Sequence, residues 1–181
     1  MSPAEPSPFF SAHRAALRSA AAHSPVLDLA CGRGRHALAT ARLGLAAVGV
    51  DRNPDALRAL LQAARDERLR AWAVRADLEA GAGIPLESAA FGAVLVFRYL
   101  WRPLAPAIEE LLRPGGILLY ETFTQRQKDL PHGPGNAAFL LGEGELAGLF
   151  PGLRVEAFEE AERRDADGRA WHLASLLARK P

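Results

Sequence analysis

The segment Val26-Leu27-Asp28-Leu29-Ala30 runs without a break into Cys31-Gly32-Arg33-Gly34 and then into a helical stretch through Leu43, and it constrains the fold more than any other part of the chain. A short apolar run behind the breaker Pro25 is a strand candidate, and the two glycines make a turn tight enough for a helix to start at once. The pattern then recurs. Ala46 to Val50 leads into Asp51 and a helix from Pro54 to Arg68, with proline suited to the first turn. Trp72 to Ala76 is a third strand ending beside Asp77, and Phe91 to Phe97 is a fourth. Between them Gly81, Gly83 and Pro85 disfavour a long regular helix, so that crossover is expected to be short or irregular. Pro103 to Leu112 has helical spacing, and Arg113-Pro114-Gly115-Gly116 turns the chain into a fifth strand, Ile117 to Tyr120. Alternating strands and helices favour a parallel sheet covered on both faces.

The remaining segments frame this array. Phe9 to Ala22 is expected to be a helix that either covers a ligand or closes one edge of the core. Thr122 to Phe139 is polar and carries Pro131, Gly133, Pro134 and Gly135, a candidate lid over the active edge. Glu143 to Phe150 again has helical character. Leu153 to Phe158 and Ala170 to Ala178 are strand candidates on either side of a charged turn at Asp165-Ala166-Asp167-Gly168, able to add an antiparallel edge. A chain of 181 residues suits one structural domain, divided into an N-terminal helix over 1–24 and a main unit over 25–181.

A formal net charge of +1 provides no general attraction for nucleic acid or an anionic membrane. Met1 to Phe10 lacks a basic segment followed by an apolar core, and no apolar run reaches membrane-spanning length. The lone Cys31 has no partner for an internal disulfide, and no cysteine cluster suggests a metal. A cytoplasmic protein without a metal site is the expectation.

The functional signal collects at the strand ends. Gly32 and Gly34 can bring backbone close to a ligand, or can simply form a turn. Asp51 lies 17 positions after Gly34 at the end of the second strand, where a carboxylate can accept ribose hydroxyls, or can cap the following helix. Asp77 and Phe97 end the third and fourth strands, and adenine could sit between them.

On these residues, together with Asp77-Leu78 and Leu111-Leu112-Arg113-Pro114-Gly115-Gly116, most of the chain resembles small class I S-adenosylmethionine-dependent methyltransferases. Gly34-Arg35-His36 and the ending Leu176-Leu177-Ala178-Arg179-Lys180 are similar to the tellurite-resistance branch of that family, which leaves the acceptor open. The resemblance implies a Rossmann-like α/β fold: seven strands, mainly parallel with the last antiparallel, and helices on both faces. It further implies S-adenosylmethionine as cofactor and S-adenosylhomocysteine as product. The backbone around Ala30, Gly32 and Gly34 would approach the methionine moiety, Asp51 would hold the ribose, and Asp77 with Leu78 would contact adenine. Asp28, Cys31, Arg35, Arg52, Phe97 and Arg98 complete the candidate cofactor set, Arg35 as a donor fork for the cofactor carboxylate or as a surface ion pair.

On the acceptor side Tyr99 and His132 are the candidates, while Trp101 is assigned to core packing and His36 and His172 receive no role. The Asn/Asp-Pro-Pro-aromatic motif of many base-amino methyltransferases is absent, since Phe97-Arg98-Tyr99-Leu100 stands in that region. A small molecule or inorganic oxyanion is therefore favoured as acceptor over nucleic acid, with no membrane partner. Two alternatives stay open: a nicotinamide-dependent oxidoreductase, because Gly32-x-Gly34-x-x-Ala37 with Asp51 also resembles a dinucleotide turn, and a non-catalytic S-adenosylmethionine-binding regulator.

Overall fold

The computed structural model describes residues 5–80, 84–165 and 167–181, so the expectations for Gly81, Gly83 and Ala166 lie outside the described residues. Five strands pair in parallel: β1 (Val26–Leu29), β2 (Ala47–Asp51), β3 (Ala71–Arg75), β4 (Phe91–Phe97) and β5 (Leu112–Phe123). β6 (Arg154–Arg164) and β7 (Ala170–Arg179) form the closing hairpin, and the sheet order is β3-β2-β1-β4-β5-β7-β6. β7 runs antiparallel to both β5 and β6. The dinucleotide-binding order is 3-2-1-4-5-6, so the antiparallel strand inserted between β5 and β6 sets this sheet apart from the nicotinamide alternative.

Every residue of β4 is buried, as a central strand covered on both faces requires. Its side chains alternate: Ala93, Leu95 and Phe97 join Phe10, Leu17 and Ala20, from α1 (Pro8–Ala12) and α2 (Arg14–Ala20), on one face. Val94 and Val96 meet Ile108 and Leu111 of α5 (Ala105–Leu111) on the other, together with Leu146 of α6 (Glu145–Gly148). α3 (Arg35–Arg42) and α4 (Pro54–Asp66) pack Ala37, Leu38, Ala41, Leu60 and Ala64 over β2 and β3. Parallel pairing brings the ends of β1 to β4 into one row, with Leu29 level with both Val50 and Val96. Among the described residues no helix is long and apolar enough to cross a membrane.

Three elements differ from their sequence expectation. The N-terminal helix is two helices, because His13 at φ −104° caps the end of α1 and the start of α2. β5 begins at Leu112 and takes in the Arg113-Pro114-Gly115-Gly116 segment through a register shift against β4. β6 extends six residues past Phe158 into the charged stretch ending at Arg164, pairing with β7 throughout. An edge strand needs only main-chain bonds on one side, so polar side chains on both faces are tolerated there and discourage edge-to-edge association.

Candidate active site at the strand ends

The glycine turn is built from left-handed backbone. Ala30 at φ +51° leaves β1, Gly32 follows at +54°, and Gly34 at +79° caps α3, its N–H donating to the Cys31 carbonyl (2.9 Å). A non-glycine residue in this region is strained, and such strain collects at functional turns. The two glycines serve different ends. A Cβ at Gly34 would fall inside the Leu60 side chain, so its bareness lets α4 close on the turn. A Cβ at Gly32 would meet nothing within 4 Å, so that position faces open space.

Two carboxylates hold the turn. Asp28, 2% exposed, accepts the Ala37 N–H at the start of α3 (2.9 Å), and no hydrogen bond engages its other oxygen among the described residues. Burial pushes its carboxyl up to about 7, against the pull of the Ala37 bond and of Arg35. Asp51 crosses from β2 to β1: Oδ2 accepts the Gly32 N–H (2.7 Å) and Oδ1 the Asn53 N–H (2.8 Å). The helix cap is Asn53, whose side chain accepts from Asp55 and Ala56. Asp51 is thereby released from capping, and a carboxylate with about four lone-pair sites keeps two for a ligand. Arg52 is exposed beside it. The Cys31 thiol packs toward Gly49, and burial with two nearby carboxylates drives it upward, away from reactivity.

At the end of β3, Asp77 is exposed with one oxygen on the Glu79 N–H (3.0 Å), and Leu78 is half-buried behind it. Tyr99 belongs to this side. Its buried hydroxyl has no hydrogen-bond partner among the described residues, and burial with the Glu79 and Asp77 carboxylates pushes it upward. Phe97 stacks on His36 (centroids 3.7 Å apart) with Phe10 edge-on, which puts its ring in the core and away from the adenine contact expected for it.

A cavity of about 790 Å³ opens on the opposite side, between the N-terminal segment and the β6–β7 hairpin. Arg35, Arg98, Glu121, Phe9, Phe158 and Trp171 line it. Arg98, at φ +59° just past β4, lays its guanidinium over Trp171 (4.4 Å) and Phe123 (5.1 Å). The positive φ at Arg98 breaks the alternation of β4, so Arg98 looks into this cavity while Tyr99 packs with Val94 and Val96 on the side of Asp77. Glu121, 3% exposed, accepts hydroxyls from Ser7 (2.7 Å) and Ser175 (3.2 Å). The Ser7 N–H donates to His36 Nε2 (3.1 Å), so that nitrogen is unprotonated. Burial, then the Arg35 and Arg98 charges, push His36 down to about 2 and keep it neutral. Glu121, Trp171 and Ser7 were not singled out from sequence. The available signal was a carboxylate inside the apolar run Leu118-Leu119-Tyr120-Glu121-Thr122-Phe123.

The candidate lid contributes nothing to this wall. Segment 122–139 finishes β5 and then lies against β7, where Gln127, 1% exposed, donates to the His132 carbonyl (2.9 Å) and accepts the His172 N–H (2.9 Å). Arg102 bonds the Ala138 and Leu140 carbonyls and pairs with Glu145, fixing the far end. His132 Nε2 contacts the Ala170 carbonyl (2.8 Å), so this histidine ties the loop to β7. Residues 5–13 take the covering position expected of the loop.

Residues 26–116 match a family model described as a methyltransferase domain. The fold is similar to that of a structure solved for the conversion of a disulfide bond into a thioacetal group during echinomycin biosynthesis: TM-score 0.76, 21% identity, covering 97% of this chain and 83% of that one. TehB from Haemophilus influenzae is similar at TM-score 0.74 and 22% identity over 93% of this chain and 62% of its own. A geranyl diphosphate C-methyltransferase from Streptomyces coelicolor A3(2), solved with Mg2+, geranyl diphosphate and S-adenosyl-L-homocysteine, aligns at TM-score 0.68 and 16% identity over 94% of this chain and 80% of that one. The comparison with curated proteins finds no match.

Proposed function

Because this chain belongs to the methyltransferase-domain family and is an S-adenosylmethionine-dependent enzyme, we propose that it methylates a small molecule or oxyanion seated beside a cofactor lying along the ends of β1 to β4. The carrying observation is the bond from the Gly32 N–H to Asp51, which joins the turn and the ribose-binding position into one cradle (2.7 Å). The residues fit the cofactor. The free oxygen of buried Asp28 suits the cofactor's ammonium group, the bare Gly32 admits the methionine chain, and Asp51 has capacity for ribose hydroxyls. Asp77, Leu78 and Tyr99 are assigned to the adenine end, and Arg35 to the carboxylate of the methionine moiety.

Bound S-adenosylmethionine supplies a methyl carbon on a sulfonium, and the acceptor's lone pair forms the new bond as the methyl–sulfur electron pair returns to sulfur. The chain supplies no nucleophile for this. Its residues hold two reactants in line, and orientation of that kind is worth effective molarities of roughly 10⁵ M or more. Where the acceptor atom starts protonated, Glu121 is the carboxylate placed to take the proton, since it lines the acceptor cavity.

The test is acceptor-dependent release of S-adenosylhomocysteine from S-adenosylmethionine, with neutral molecules, organic anions and inorganic oxyanions as acceptors. Release with at least one acceptor is expected. Binding of the cofactor without release across the panel would instead favour a regulator.

A further inference from the structure

We propose that the acceptor is an organic anion with an apolar body, and that Arg98 is the residue that holds its anionic group. This rests on the methyltransferase reading above and adds the chemical class of the acceptor. The first observation is a guanidinium inside the cavity whose donors are unmet. At its mouth Arg163 pairs with Glu159 and Arg164 with Glu162. Deeper in, neither Arg35 nor Arg98 has an ion-pair or hydrogen-bond partner among the described residues, and the buried Nε of Arg98 is unsatisfied. Burial lowers both guanidinium pKa values, and repulsion from Arg35 adds to it at Arg98 alone.

Glu121 attracts both guanidiniums, Asp28 attracts Arg35 and Asp165 attracts Arg98, all through space and with no hydrogen bond among the described residues. Glu121 is already bonded to the Ser7 and Ser175 hydroxyls, and Asp165 to the Trp171 indole N–H (3.0 Å) and the Arg169 and Asp167 amides. The contacts of its Cζ over the Trp171 and Phe123 rings compensate Arg98 in part, but they supply no acceptor for its N–H donors. A planar donor fork in that state is complementary to a carboxylate or phosphate.

The second observation is size and lining. A cavity of about 790 Å³ falls in the range that encloses a drug-sized ligand, roughly 300 to 1,000 Å³. An inorganic oxyanion of a few atoms would leave most of it unfilled. Phe9, Phe158 and Trp171 give the remaining wall an aromatic, apolar character suited to a carbon skeleton. Arg35 stays with the cofactor, because it follows Gly34 directly at the turn, which leaves Arg98 for the acceptor.

The experiment uses the full chain saturated with S-adenosylhomocysteine and titrates phenyl phosphate, benzoate, benzamide and inorganic phosphate by calorimetry. In the wild type, phenyl phosphate or benzoate is expected to bind roughly 10-fold or more tightly than neutral benzamide, the worth of one charge-assisted hydrogen bond. Inorganic phosphate is expected to bind more weakly than phenyl phosphate. Arg98→Met should erase the preference for anions while leaving S-adenosylhomocysteine affinity within about twofold of wild type. The proposal is overturned if benzamide matches benzoate, if neither organic anion binds, or if inorganic phosphate equals phenyl phosphate. It is also overturned if Arg98→Met loses S-adenosylhomocysteine, since Arg98 would then serve the cofactor. The wild-type comparisons stand alone should the variant not fold. Failure of the wild type to bind S-adenosylhomocysteine is a separate result, and it removes the methyltransferase reading itself.

Discussion

The ends of β1, β2 and β3 and the ends of β4 and β5 with the start of antiparallel β7 face the same edge of one sheet, yet they are made of different things. The first half is mostly backbone: left-handed turns at Ala30, Gly32 and Gly34, amide donors, and two carboxylates that hold those amides in place. The second half is side chains from distant parts of the chain, with Ser7, His36, Glu121 and Ser175 in one buried network and Arg98 laid over the adjoining Phe123 and Trp171 rings. A backbone cradle can be satisfied by the protein alone. The side-chain half contains Arg98, which has no ion-pair partner among the described residues, and on the proposed reading a ligand completes it. Under the proposed function, the difference teaches that the backbone half is a scaffold for the cofactor, whereas the side-chain half is where acceptor specificity would be written.

The largest expected effect tests the rigidity of the first half. Gly34→Ala should cost about 3 kcal/mol or more in chemical denaturation, because it combines positive-φ strain with overpacking against Leu60. Gly32→Ala, with strain but open space, should cost about 1 to 2 kcal/mol and instead weaken S-adenosylhomocysteine binding. Equal stability losses in the two variants would erase the division of labour between the glycines.

Asp51→Ala removes the carboxylate that joins Gly32 to β2. Cofactor affinity should fall by about 1.5 to 3 kcal/mol, the value of a hydrogen bond to a charged group, while the sheet stays folded because Asn53 still caps α4. Unchanged affinity in a folded variant would take Asp51 out of the site.

Asp28 tests whether the cradle was kept for the ligand at the expense of stability. Its folded pKa is raised from 3.8 to about 7, so the folded state holds the proton more tightly than the unfolded state. That contribution is present at low pH and is lost as pH rises to about 7. His36 has the opposite sign: its folded value is depressed to about 2, so stability is lost as pH falls below the ordinary histidine value of 6.5. Asp28→Asn keeps an oxygen for the Ala37 N–H and isolates the first effect. Its Tm should exceed that of the wild type by roughly 5 °C at pH 8, with the gap closing toward pH 4, and its cofactor binding should be weaker. A gap independent of pH would contradict the assignment of a buried, destabilising charge.

The smallest effect concerns the loop on the second half. Gln127→Ala removes two buried hydrogen bonds and should cost about 1 to 3 kcal/mol of stability. The ranking of acceptors by turnover should not change, because the loop lines no part of the large cavity. A changed ranking in the folded variant would return the loop to the role of lid.

How much of this was legible follows from the same contrast. Strand, turn and helix around Gly32 and Gly34 are local in sequence, and apolar periodicity located β1 to β5 within a few residues, apart from the early start of β5 at Leu112. Asp51 could be placed because a strand end adjoins its neighbour in any parallel sheet. Arg98, Glu121, Trp171 and Ser7 could not be grouped, since they meet only when β5, β7 and the N-terminal segment converge. The exchange of sides between Arg98 and Tyr99 was hidden for another reason: a one-residue difference in facing at a strand end depends on the backbone, here a positive φ at Arg98. The lid expectation rested on loop length and glycine content, neither of which reveals that Gln127 and Arg102 tie the segment to its neighbours.

The most direct test is competitive calorimetry on the full chain with S-adenosylmethionine, S-adenosylhomocysteine and nicotinamide dinucleotide. The expected result is one site per chain at which the two adenosyl ligands exclude each other, with affinity reduced by Asp51→Ala and the dinucleotide unable to displace either. Simultaneous binding of both adenosyl ligands, or selective binding of the dinucleotide, would contradict a shared cradle at the ends of β1 to β4.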